Sequence, residues 1–135
     1  MTVLVGYDGT PEGTAALRWA IEHARPDEPV LAVAALGTEP APVPGGERLA
    51  RVGTRVNRDD RRVWTAWEHD AEAVGDEAEL VVERGLPSTV LLRLADERHA
   101  SAIVLGHHHR RLGAVLPSVL RDVLAAAEVP VVVVP

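Results

Sequence analysis

Five short aliphatic runs, separated by stretches of helical periodicity, constrain this chain more than any other feature. The first, Val3-Leu4-Val5-Gly6-Tyr7, is continuous, rich in β-branched residues and uncharged. That pattern suits a strand buried on both faces of a parallel sheet. Asp8-Gly9-Thr10-Pro11 breaks the run. Thr10 can cap a helix, and Pro11 fits its first position, where no N–H is required. Ala16, Leu17, Ala20, Ile21 and Ala24 then recur at helical spacing until Pro26. Val30–Ala35, Glu79–Arg84, Ser101–Leu105 and Val129–Val134 read as the second to fifth strands. Further helices are expected from about Asp59 to Val74, from Pro87 with Val90, Leu91, Leu94 and Ala95 on one face, and from Leu116 to Ala127 with Ser118 as its cap. Residues 37–46, with Pro40, Pro42 and Pro44, read as a loop. The pattern over 47–58 does not decide a structure. Arg48, Arg51, Arg55 and Arg58 there make a solvated face or a partner surface.

Strands alternating with helices imply right-handed crossovers and a parallel sheet covered on both faces. The expectation is one α/β domain over residues 1–135. Its sheet is open and five-stranded, in the order 3-2-1-4-5, with Val3–Tyr7 at the centre. Val129–Val134 would then be an uncharged edge strand at the chain end. Left unpaired, such an edge invites aggregation. A homodimer in which Val129, Val131, Val132, Val133 and Val134 pair with their copies across a two-fold axis removes that hazard.

Composition narrows the function. Hydrophobic residues make up 47% of the chain and charged residues 25%, which is globular and not disordered. The net charge of −6 argues against a general nucleic-acid binder, which needs a basic face to displace counterions. No apolar run approaches a membrane span, and Met1-Thr2-Val3-Leu4-Val5 lacks a basic signal-peptide start. A cytoplasmic location is the expectation. With no Cys, disulfides, thiolate chemistry and Cys-ligated zinc are excluded. All 14 basic residues are Arg, so no Lys can form a Schiff base or serve as a P-loop cation.

In open α/β sheets, ligands bind beyond the carboxyl ends of the strands, where the strand order reverses. Two segments qualify. Gly6-Tyr7-Asp8-Gly9-Thr10 ends the first strand, and Asp8 there either bonds a ribose or base edge or merely starts the turn before Pro11. Gly106-His107-His108-His109-Arg110-Arg111-Leu112-Gly113, followed by Pro117-Ser118, joins the fourth strand to a helix whose N-terminus can receive an anion.

With these residues in order, the chain resembles the universal stress proteins over nearly all its length. Val3-Leu4-Val5-Gly6-Tyr7-Asp8-Gly9-Thr10 is similar to the family's opening strand and Asp turn. Gly85-Leu86-Pro87, Ala102-Ile103-Val104-Leu105-Gly106 and Val129-Pro130-Val131-Val132-Val133 are similar to its later segments. The resemblance implies an adenine-nucleotide alpha-hydrolase-like fold, a dimer, and a regulatory role in stress responses. It also implies that an adenine nucleotide, ATP or another, is the cofactor where one is bound. Some members hold ATP through G-x2-G-x9-G-[S/T]. Gly106 matches the first glycine and Ser118 the closing serine, but His109 and Pro117 stand where the other glycines are expected, and the interval is two residues short. His109 brings a ring where backbone should touch phosphate, and Pro117 removes an N–H from the helix start. Asp8 matches the nucleoside contact, and Ala35 falls near a residue lining the base. The cofactor-binding set expected from loops and resemblance together is Tyr7, Asp8, Gly9, Ala35, Gly106, His107, His109, Arg110 and Ser118.

Other chemistry finds less support. Adjacent histidines diverge, so His107-His108-His109 makes a poor metal site, and none is expected. Trp67 lies on an apolar helical stripe and reads as core, whereas Trp64 reads as half exposed and fit for a protein partner. There is no G-x-S-x-G elbow and no Walker lysine, so no catalytic residue is assigned. Three readings stay open: a non-catalytic dimeric stress-response protein with weak or no ATP binding, an adenine-nucleotide-binding regulatory module with an altered phosphate loop, and, more remotely, a nucleotide-hydrolysing enzyme.

Overall fold

The computed structural model describes residues 1–36, 61–107 and 118–135, which form a five-stranded parallel sheet in the order β3-β2-β1-β4-β5. In chain order the elements are β1 (Thr2–Gly6), α1 (Pro11–His23), β2 (Val30–Leu36), α2 (61–74), β3 (Ala78–Arg84), α3 (Pro87–Glu97), β4 (Ala100–Gly106), α4 (Ser118–Ala126) and β5 (Val131–Val134). A single 3-10 turn, Gly75–Glu77, leads from α2 into β3. The expected strand order and central first strand are therefore the observed ones. Residues 37–60 and 108–117 lie outside the described residues, and with them the expected loop at 37–46, the Arg48–Arg58 face and the expected helix starts at about Asp59 and at Leu116.

β1 is central, and nothing along it is charged. Leu4 and Val5 are fully buried, between β2 on one side and β4 on the other. Burying each such side chain stabilises the fold by roughly 1.5–3 kcal/mol. Alternate residues of the sheet feed two cores. One is formed with α1 and α2 and contains Val5, Tyr7, Leu17, Val63 and Val74. The other is formed with α3 and α4 and contains Leu4, Val33, Leu91, Leu105 and Leu120. Thr10 caps α1 by accepting from the Gly13 N–H at 3.2 Å, with Pro11 opening the helix. Trp67 packs on the first core, edge-on to Tyr7 with ring centroids 5.6 Å apart, while Trp64 is 49% exposed.

Several boundaries differ from expectation: β2 runs on to Leu36, β3 starts at Ala78, and β4 spans Ala100–Gly106. β1 spans Thr2–Gly6, so Tyr7 is past its end, although its N–H still donates to the Val33 carbonyl at 2.9 Å. β5 starts at Val131 and not at Val129. Pro130 has no N–H for the ladder and contributes only its carbonyl, which accepts from the Ile103 N–H at 2.9 Å. Val129 packs instead against the second core. α4 ends at Ala126, and Ser118 is its first described residue, within the helix and not a cap before it.

Candidate functional site

The carboxyl ends of β1, β2 and β4 meet at the point where the strand order reverses, since β1 connects outward to β2 while β4 lies on its other side. A cleft of about 130 Å³ opens there. Its walls are mostly apolar, with Val33 and Ala35 from β2, Leu105 from β4, and Leu91 and Leu120 from the helices above. A cavity near this size takes about one aromatic ring. Its polar rim is formed by Asp8 and by the backbone of Gly6, Gly13 and Gly106.

Asp8 is held by its own turn. Its Oδ1 accepts from the Thr10 N–H at 3.0 Å and from the Thr10 hydroxyl. The hydroxyl also serves as the α1 cap, so carboxylate and helix start are one unit. Gly13 permits this, because a β-carbon there would stand 2.8 Å from the Asp8 Oδ1. The carboxylate thus lies at the N-terminal, positive end of the α1 dipole. Gly9, at φ +81°, turns the chain in a conformation that a side chain resists. The backbone of Arg62 packs on it, and the Arg62 Nε–H donates to the Asp8 carbonyl at 3.1 Å.

The structure brings Tyr7, Asp8, Ala35 and Gly106 to this one cleft. Tyr7 lines its inner end, but the phenol turns to the other core, where its O–H donates to Asp70 Oδ2 at 2.7 Å. Burial first, and then the Asp70 hydrogen bond and charge, push the phenol well above the usual tyrosine range. Gly106 packs tightly on the first turn of α1. The His107 N–H donates to the Val134 carbonyl at 2.8 Å, prolonging the β4–β5 ladder by one step. The α4 helix directs its first described turn at the same end of the sheet, where Val119 joins the lining. Gly9 supports the turn without being part of the lining. His109 and Arg110 lie outside the described residues.

Two residues with a part in this end of the molecule escaped the sequence reading. Gly13 passed as an ordinary helix residue. Asp70 is buried in α2, and its Oδ2 accepts from both Tyr7 and the Thr14 hydroxyl, each at 2.7 Å. A signal was present. Val63, Trp67, Asp70 and Val74 form one helical stripe, which puts a carboxylate among core residues. Among the described residues, no cluster of His, Asp or Glu is arranged to hold a metal ion, and no helix is long and apolar enough to cross a membrane.

The model of the universal stress protein family matches residues 1–135. The chain belongs to that family. No curated protein matches it significantly. Among solved structures, the universal stress protein UspA from Lactobacillus plantarum is similar with a TM-score of 0.75 at 14% identity, covering 100% of this chain and 97% of that one. A universal stress protein in complex with cAMP is similar at 25% identity with a TM-score of 0.62, covering 99% of this chain and 95% of the other. The universal stress protein from Archaeoglobus fulgidus in complex with dAMP is similar at 26% identity with a TM-score of 0.57, again covering 99% and 95%. In this universal stress protein the sheet order and the two helical layers match expectation, and the cleft lies at the switch point where α/β sheets bind ligands.

Proposed function

We propose that this universal stress protein is a non-catalytic regulatory module that takes a nucleoside monophosphate of the adenosine type in its cleft and binds ATP weakly. The observation that carries the reading is the cleft itself: one ring-sized apolar slot whose charged edge, among the described residues, is the Asp8 carboxylate. The slot suits a base. A carboxylate has about four acceptor sites, so Asp8 can bond a ribose hydroxyl while keeping its bonds to Thr10. The neighbours in complex with cAMP and dAMP support a ligand of this class. The phosphate end argues against a longer chain, because His109 and Pro117 replace the glycines on which a triphosphate would lie. Arg110 and Arg111 add positive charge to this segment, but a charge without fixed geometry does not replace backbone donors aimed at phosphate. Among the described residues of the lining, no nucleophile is paired with a base.

The outer edge of β5 supports a homodimer. Among the described strands β5 pairs only with β4, Val133 is 36% exposed, and Val131–Val134 carries no charge. Antiparallel pairing with a second copy would satisfy that edge.

Calorimetric titration with ATP, ADP, AMP and cAMP tests the reading, alongside a phosphate-release assay. AMP or cAMP is expected to bind more tightly than ATP, with no release of phosphate. Low-micromolar ATP affinity, or turnover, would overturn it.

A further inference from the structure

Asp70 raises a question that stability does not answer. It is 5% exposed, sits at the core-facing side of α2, and has Tyr7 and Thr14 as its hydrogen-bond partners. Among the described residues no Arg or His forms an ion pair with it. Burying a carboxylate against two neutral hydroxyls costs more than packing an apolar side chain of similar volume. A chain selected for packing alone would place Leu there and Phe at position 7.

The geometry shows what the network does. Tyr7 directly precedes Asp8. Thr14 lies in the first turn of α1, and its N–H donates to the Thr10 carbonyl at 3.1 Å. Thr10 in turn donates twice to the Asp8 carboxylate. One oxygen of Asp70 therefore grips the chain on both sides of Asp8. The Arg62 Nε–H, also from α2, holds the Asp8 carbonyl at 3.1 Å. Both residues tie α2 to a turn far away in sequence.

We propose that Asp70 is a positioning residue for the cleft: by fixing Tyr7 and Thr14 it sets the direction in which the Asp8 carboxylate faces a ligand. The assignment of a ligand to the cleft rests on the proposed nucleotide function, whereas the coupling of Asp70 to Asp8 does not. Both hydroxyls bond the same oxygen, Oδ2, so an amide oxygen at that place can accept both bonds. Geometry, and not charge, is what Asp70 supplies.

The test uses the full chain and three variants. In Tyr7→Phe/Asp70→Leu the Tyr7 and Asp70 members of the network are replaced by apolar groups of similar shape, and the part-buried Thr14 hydroxyl is left to solvent. This variant is expected to fold. Its Thr10 amide, which reports the Asp8 bond, should exchange with solvent at least tenfold faster, and its AMP affinity should fall about tenfold. Asp70→Asn should keep both properties within about twofold of the parent. Thr14→Val, which removes one donor with little change of shape, should accelerate Thr10 exchange about threefold, and it decides the matter where the double variant does not fold. Unchanged Thr10 exchange in the folded double variant, or in Thr14→Val, would overturn the proposal. Absence of AMP binding by the parent protein would instead remove the nucleotide reading, and the Thr10 amide would still report on Asp70.

Discussion

Gly106 and Glu12 meet backbone to backbone: a β-carbon on Gly106 would stand 2.3 Å from the Glu12 carbonyl oxygen and 2.7 Å from its carbon. The end of β4 can approach α1 this closely only without a side chain. The residue that matches the first glycine of the family's phosphate motif thus has a packing reason to be glycine. Gly106→Ala is expected to push β4 and α1 apart and to destabilise the fold by about 1–3 kcal/mol, the usual cost of overpacking. Urea unfolding measures it, and an unchanged midpoint would show that this contact is looser than described.

Asp8→Asn separates charge from shape. The amide oxygen can still accept from Thr10, so the fold should persist, weakened by about 1–3 kcal/mol as two charged hydrogen bonds become neutral. A hydrogen bond to a charged group contributes roughly 1.5–3 kcal/mol, so AMP affinity should fall about tenfold or more. Calorimetry on the folded variant decides; equal affinity would place the nucleoside elsewhere.

Replacing both departures from the phosphate motif, His109→Gly with Pro117→Gly, should restore ATP. The parent is expected to bind ATP with a Kd above roughly 100 μM, about −5.5 kcal/mol or less favourable. Two good charged hydrogen bonds are worth on the order of 3–6 kcal/mol, so the glycine variant should gain at least tenfold for ATP and little for AMP. An equal gain for both ligands would mean that the loop acts on the base and not on the phosphates.

Tyr7 is the only tyrosine, so its ionisation can be followed without ambiguity. Burial, joined by the Asp70 hydrogen bond, raises its pKa above the ordinary value near 10. As pH climbs past that value the unfolded chain releases its phenolic proton while the folded protein keeps it. The unfolded state then binds fewer protons, and stability falls with rising pH. Below that window the Tyr7 contribution is fully present. Tyrosinate absorbance should therefore appear only together with unfolding, and Tyr7→Phe should flatten the alkaline slope. Reversible ionisation near the ordinary value in the folded protein would contradict the buried Asp70 bond.

Val133→Glu tests the edge strand. Light scattering should show a dimer for the parent at micromolar concentration and a monomer for the variant, because paired glutamates across a two-fold axis repel. A parent monomer would remove the edge-pairing proposal.

The sheet was legible because β-branched runs and turn residues at their ends state it locally. Val3-Leu4-Val5 admits no solvent-facing side, which suits a middle strand, but Val131–Val134 is as uncharged and lies at the edge, so the βα connections decide between them. Ends were harder, since Pro130 still lends a carbonyl to β4 and only the missing N–H moves the start of β5 to Val131. Asp8 could be identified from its place after a strand, yet its two readings do not compete: it starts the turn and also rims the cleft. Asp70 was hidden because its partners lie 63 and 56 residues away, and no local pattern announces a contact of that span. Gly106 could be named from the motif, but its packing on Glu12, far away in sequence, could not, and the closeness of Gly13 to the Asp8 carboxylate depends on how the turn before α1 folds.

The register of β1 has a consequence for how the protein comes into being. Thr2 leaves the ribosome long before its neighbour Ala100. Until then the central strand has one free edge, and pairing across so long a loop is slow. The cleft lies between those two strands, so it does not exist in the nascent chain. A ligand of that cleft captures only finished molecules, and at a hundred times its Kd it holds them folded by about 2.7 kcal/mol. Ligand supply then becomes a determinant of how many newly made copies outlast proteolysis, quite apart from any signal the mature protein passes on.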